Sequence, residues 1–174
     1  MKLKNDKKLD YRIWDEVEKI ESVTKFLEEN KNKITALELS SNSISQLVAK
    51  HLAIKINLLP YLQYVNYNDI FVGRKKDQLP DAIKDLMLAL QGKAIRILNV
   101  SNNAFGPIGV QSIDVFMKNT KHLMELYIEN CGLGPEGSEL LAGLLMENEH
   151  KLNLEVLVIN RNRLENKGAD AFAK

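Results

Sequence analysis

Cysteine and tryptophan each occur once in these 174 residues, and proline four times. A single thiol rules out an internal disulfide and suits a reducing compartment. An excess of either charge is also missing. The 24 Lys and Arg residues face 23 Asp and Glu, leaving a formal net charge of +1. Such a balance builds no basic field of the kind that draws nucleic acid, and the basic stretch from Lys2 to Lys8 is short. No secretory signal is recognisable and no apolar run reaches membrane-spanning length, so the cytosol or nucleus is the expected setting. Three scattered histidines and one cysteine provide no metal-ligand spacing. The glycines follow neither GxxxxGK[ST] nor a strand-bound GxGxxG, so no nucleotide is expected to bind to this chain by itself. Asn99-Val100-Ser101 has the form of a glycosylation acceptor, yet it falls within a predicted strand and is expected to stay unused.

What the sequence does contain is a repeat. Ile95, Leu98, Val100, Asn103 and Phe105 lie at offsets 0, 3, 5, 8 and 10, and Leu123, Leu126, Ile128, Cys131 and Leu133 repeat them. The same offsets recur at Ile34, Leu37, Leu39, Asn42 and Ile44, and at Leu154, Leu157, Ile159, Asn162 and Leu164. This is the leucine-rich-repeat signature in its long form, with a helix in each repeat. Offsets 3 and 5 point to one side of a strand and the residue between them to the other. The Asn or Cys at offset 8 turns inward and can satisfy main-chain groups of the turn. One repeat cannot bury its apolar side alone and must stack on neighbours. The expected fold is therefore an α/β solenoid of ribonuclease-inhibitor type, with a curved parallel sheet on the concave face and helices on the convex face.

In chain order, Met1 to Asp10 is polar and expected to fray. Val17, Ile20, Val23, Phe26 and Leu27 recur at helical steps, which predicts an amphipathic helix over 15–30 that caps the array. Trp14 is expected to pack in that cap. Ser45 to Ile56 is predicted to be the first repeat's helix, with Leu47, Val48, His51, Leu52 and Ile54 on or near its apolar side. The second repeat is irregular: Leu62, Val65 and Tyr67 keep the strand, but offset 8 is Ile70, and a longer loop from Phe71 to Pro80 follows. A helix is predicted over 81–90, started by Pro80 and Asp81 and ended by Gly92. Phe105-Gly106-Pro107 and Leu133-Gly134-Pro135 open the next two helices, and a shortened last helix is expected near 168–174. One domain is thus expected over 1–174, with a helical cap to about residue 33 and about five repeats, the last cut short as in a fragment of a longer protein.

The residues least explained by stacking lie at the strand ends. Arg74 is in the long loop after the second strand, and Asn130 stands at the end of the fourth, just before Cys131. Two strand steps of roughly 4.8 Å put these loops about 10 Å apart on one rim. There an Arg and an Asn could touch one partner together. Cys131 itself fits the small inward-facing position of the repeat better than a nucleophile. On the concave face the exposed positions are Glu38, Asn66, Asn99, Tyr127 and Val158, with no acid pair or aromatic cage.

At these residues the chain resembles the RanGAP family, the GTPase-activating proteins of the nuclear-transport GTPase Ran. The resemblance rests on FVGRKKDQLPDAI (71–83), SNNAFGP (101–107), LYIENCGLGPEG (126–137) and NRNRLEN (160–166), and it extends over nearly the whole chain. It implies a GTPase activator rather than an enzyme with its own active site, one that binds Ran in its GTP-bound form through one rim and uses no arginine finger. By resemblance, Asn130 would hold the GTPase's own glutamine toward the attacking water, and Arg74 would support activation. Lys76, Asp77 and Asn102 would contact Ran. No cofactor is implied, GTP and magnesium belonging to the partner. Neither membrane nor nucleic acid is implied as a partner, and the setting would be cytoplasmic, at the nuclear envelope in some members. Where the yeast-like pattern has a second Asn, this chain has Cys131, a departure expected to alter packing more than activity. A binding-only repeat scaffold, resembling ribonuclease inhibitor or an innate-immune receptor array, is the alternative.

Overall fold

The computed structural model describes residues 12–75 and 77–173; residues 1–11, among them the stretch Met1 to Asp10 expected to fray, Lys76 and Lys174 lie outside the described residues. Among the described residues, seven three-residue strands run as β1 (Arg12–Trp14), β2 (Ala36–Glu38), β3 (Asn42–Ile44), β4 (Tyr64–Asn66), β5 (Ile97–Asn99), β6 (Glu125–Tyr127) and β7 (Val156–Val158). Between them lie α1 (Glu21–Glu29), α2 (Gln46–Asn57), α3 (Leu79–Leu88), α4 (Gly106–Ser112), α5 (Asp114–Asn119), α6 (Gly134–Met146) and α7 (Glu165–Phe172).

Five strands form one parallel sheet in the order β2-β4-β5-β6-β7. Its register places Leu37, Val65, Leu98, Leu126 and Leu157 side by side, the offset-3 residue of each repeat. From Leu37 to Ile128 the residues at offsets 3 and 5 of the first four repeats are fully buried. Each such aliphatic side chain removed from water contributes about 1.5–3 kcal/mol. Leu157 and Ile159 of the fifth repeat are only half-buried. The array is a leucine-rich-repeat solenoid, as the offsets predict.

Offset 8 carries the inward amides. Asn103 donates from Nδ2 to its own repeat's Val100 carbonyl at 2.8 Å and to the preceding repeat's Tyr67 carbonyl at 2.7 Å, while its Oδ1 accepts from the Ile70 N–H at 2.9 Å. Asn162 repeats this with the Ile159 and Ile128 carbonyls and the Cys131 N–H. The amide missing at Ile70 is thus supplied by the next repeat, and Ile70 itself is fully buried. One asparagine serves the turn of two repeats.

Past each strand the ladder continues. The N–H of the offset-7 residue donates to the next repeat's carbonyl in Ser41→Asn68, Asp69→Ser101, Asn102→Glu129 and Asn130→Asn160, at 2.8–3.1 Å. All five offset-7 residues, Ser41, Asp69, Asn102, Asn130 and Arg161, have φ between 53° and 60°. Asn and Asp visit this left-handed region more readily than other side chains. An asparagine at position 102 or 130 therefore has a backbone reason before it has any other.

Several expectations change. The predicted 15–30 helix resolves into a 3-10 turn at Val17–Ile20 followed by α1, with β1 just ahead of it. Phe26, assigned to its core stripe, is 42% exposed. On α2, Leu47 and Ile54 face solvent at 59% and 57%, while Val48, Ala49, Leu52 and Ile56 form the buried stripe; His51 is half-buried. The third repeat's helix breaks at Ile113 into α4 and α5. The last helix starts at Glu165, three residues before the expected Gly168. Helix α3 starts at Leu79 and ends at Leu88, though Leu90 is buried beyond it as predicted. Trp14 is buried as expected, but on a strand: β1 pairs in parallel with β3, whose Ser43 also bridges Phe71.

Candidate functional site

The rim at the strand ends is built from these left-handed turns, and its side chains join across repeats. Asn130 donates from Nδ2 to Oδ1 of Asn102 at 2.9 Å, and Asn102 donates from Nδ2 to Oδ1 of Asn68 at 2.7 Å. Asn102 is exposed and Asn130 half-buried. Behind them, the Asn99 and Asn66 side chains accept from the N–H two residues ahead, at Ser101 and Asn68, so both are used in ending their strands.

Arg74 takes a different direction. Its guanidinium pairs with the Asp15 carboxylate through Nη1 and donates from Nη2 to the Ser43 carbonyl at 2.6 Å. The side chain is 16% exposed, and its Nε is buried with no partner among the described residues. Ser43 also donates from Oγ to the Val72 carbonyl at 2.5 Å, and the Ile44 N–H bonds the Ile70 carbonyl at 2.8 Å. The 70–74 segment is thus sewn to β3 and, through Asp15, to the segment that carries β1. Asp77 lies exposed just before α3, and Lys76 lies outside the described residues. Of the five residues singled out on the sequence, Asn102 and Asn130 are brought into contact. Arg74 is turned toward the N-terminal segment.

Cys131 is fully buried, donating from Sγ toward the Val100 carbonyl at 3.3 Å. Burial pushes its pKa up to about 11, against smaller opposing effects from the nearby backbone N–H groups of Asn103, Asn102 and Ala104. A thiol held protonated in this way is a poor nucleophile. On the sheet face, Tyr127 donates from its hydroxyl to Glu125 at 2.7 Å, which raises the phenol's pKa. The hollow of about 470 Å³ between α4 and α6, lined by Val110, Gln111, Glu136 and Glu139 among others, lies on the helical side. What the rim can offer is neutral hydrogen bonding: a primary amide neither gives nor takes a proton near neutral pH.

Residues 95–113 and 150–173 match the Leucine Rich repeat family. Over 88% of its length the chain is 35% identical to Ran GTPase-activating protein 1 of Xenopus laevis. It is 33% identical to the Ran GTPase-activating protein of Drosophila melanogaster over 79% of its length, and 30% identical to Ran GTPase-activating protein 1 of Saccharomyces cerevisiae over 78%. The chain is a leucine-rich-repeat protein similar to the Ran GTPase-activating proteins. It spans 28%, 25% and 36% of those three relatives. Sequence reasoning missed Asp15, Ser43 and Asn68. Asp15 falls inside a predicted cap helix, and nothing in its local pattern signals a partner 59 positions away. Asn68 was legible in principle, since it stands beside the offset-7 position that Asn102 and Asn130 occupy in later repeats. No helix among the described residues is long and apolar enough to cross a membrane.

Proposed function

We propose that this chain accelerates GTP hydrolysis by Ran in trans, using the rim that carries Asn102 and Asn130. The observation that carries this reading is the 35% identity to a Ran GTPase-activating protein along 88% of the chain. The partner is Ran in its GTP-bound form. GTP and magnesium are the partner's, and the chain contributes no cofactor. The setting is cytoplasmic, with the nuclear envelope as a second location.

The chemistry favours help from outside. Phosphoryl transfer depends mostly on positioning and charge stabilisation, so a GTPase with a mobile glutamine hydrolyses slowly. Asn130 holds that glutamine toward the attacking water. An acceleration of about 10⁵-fold corresponds to roughly 7 kcal/mol, while one neutral hydrogen bond contributes about 0.5–1.5 kcal/mol net. Ordering of the partner and exclusion of water supply the larger share. Arg74 acts as a support rather than a finger. In favour of this, its guanidinium is already committed to Asp15 and Ser43. Asp77 and Lys76 contact Ran from the same loop.

Single-turnover hydrolysis with GTP-loaded Ran tests the reading. Catalytic amounts of the chain speed the reaction by orders of magnitude, and Asn130→Ala removes most of the gain. No acceleration, with retained binding to Ran, would leave a repeat scaffold that binds without activating.

A further inference from the structure

The rim amides form a row with a direction. Asn102 donates to Asn68, and Asn130 donates to Asn102, so each Nδ2 faces the preceding repeat. No single member can turn around without setting two oxygens, or two N–H groups, against each other. The backbones beneath Asn102 and Asn130 are pinned by ladder bonds to Glu129 and Asn160 at 2.8 and 2.9 Å, and both hold φ near +55°. Asn130 ends the row. Its Oδ1 accepts no hydrogen bond from the described residues, and one of its two N–H protons is left over.

We infer that Asn68 and Asn102 are positioning residues that orient the Asn130 amide with its carbonyl oxygen outward, so that Asn130 recognises a hydrogen-bond donor on its partner. A primary amide is the matching group, since it offers an N–H to that oxygen and a carbonyl to the remaining N–H. The inference rests on the Ran-activation reading for its partner but not for its geometry. A reversed row would present two N–H protons and a single spare lone pair, and would favour an acceptor such as a carboxylate. Asn68 acts one step removed from the contact and Asn102 directly upon it.

The test is a hydrolysis series with GTP-loaded Ran, joined to side-chain amide exchange measured by NMR on the chain alone. Asn102→Gly keeps the left-handed backbone without strain and removes the acceptor for Asn130. It is expected to lower kcat about 3- to 10-fold with little change in KM, the scale of one hydrogen bond. Asn102→Asp still accepts from Asn130 and recovers most of that loss, while Asn68→Ala gives a smaller loss than Asn102→Gly. An Asn102→Asp variant no better than Asn102→Gly, or an Asn102→Gly variant with unchanged kcat, overturns the inference. In the exchange arm, the Nδ2 protons of Asn102 and Asn130 exchange more slowly than those of Asn68, and Asn102→Gly brings Asn130 to the Asn68 rate. Should the unmodified chain fail to activate Ran, the activator reading falls and this arm alone decides the row. Equal exchange at all three asparagines then overturns it.

Discussion

Two stretches of the same rim are held in opposite ways. Around Asn102 and Asn130 the turn is regular: a small inward group at offset 8 (the Asn103 amide, then the Cys131 thiol), a left-handed residue at offset 7, neutral side chains bonded to neutral side chains. Around Arg74 the inward amide is absent, the loop is longer, and the segment is fastened by a charge to a part of the chain distant in sequence. The first stretch is held by groups that the repeats share with their neighbours. The second depends on the N-terminal segment being in place.

The largest expected effect comes from removing the amide that bridges the two stretches. Asn103→Ala leaves the Ile70 N–H and the Tyr67 carbonyl without that partner in a buried turn, and a loss of about 3 kcal/mol is expected in chemical denaturation. A loss below 1 kcal/mol would show that the irregular repeat does not lean on its neighbour.

Next is the thiol of the regular stretch. Its folded pKa of about 11 stands above the ordinary 9.0, so the folded state keeps a proton that the unfolded chain releases. Stability is unaffected below pH 9 and falls as pH rises from about 9 to about 11. The expected fall is on the order of 2–3 kcal/mol. Cys131→Asn, which does not titrate, removes that part of the alkaline slope. Unchanged slopes in the two proteins would reject the burial argument.

Asp15→Asn sharpens the contrast from the other side. Because Asp15 is 41% exposed, its pair with Arg74 is worth at most about 1 kcal/mol. Backbone amide exchange is expected to quicken over 70–75 while the Asn102 and Asn130 turns stay protected. Uniform loosening of both would mean that the two stretches are one unit. The smallest effect is a gain. Arg161 holds φ at 60°, where a glycine sits freely, so Arg161→Gly is expected to stabilise by about 0.5–1 kcal/mol.

How far the sequence could be read follows the same divide. Offsets 3, 5 and 8 named the buried residues of the first four repeats, because a stacked strand leaves only one face to bury and one turn to satisfy. Reading failed where a contact joins distant segments or where a helix has more apolar residues than buried positions. Leu47, Ile54 and Phe26 match the helical period yet face water, and only the packed neighbours decide which of two apolar stripes goes inside. Ile70 looked like a defect because its substitute, Asn103, lies in the following repeat. Asn130 was found through its place at a strand end and Asn102 through resemblance, and their left-handed backbone explains why that residue type stands there whether or not a partner is bound.

The offset-8 residues 42, 70, 103, 131 and 162 are separated by 28, 33, 28 and 31 positions, yet every strand keeps its register. Geometry is therefore dictated by a short segment of each unit, and the connecting helices tolerate variable length. A peptide tag grafted between Glu147 and Lys151, on the helical side, should leave the amide row in place. Length can vary behind the sheet while the rim stays constant, which gives such a chain a way to gain sequence without rebuilding the edge of its sheet.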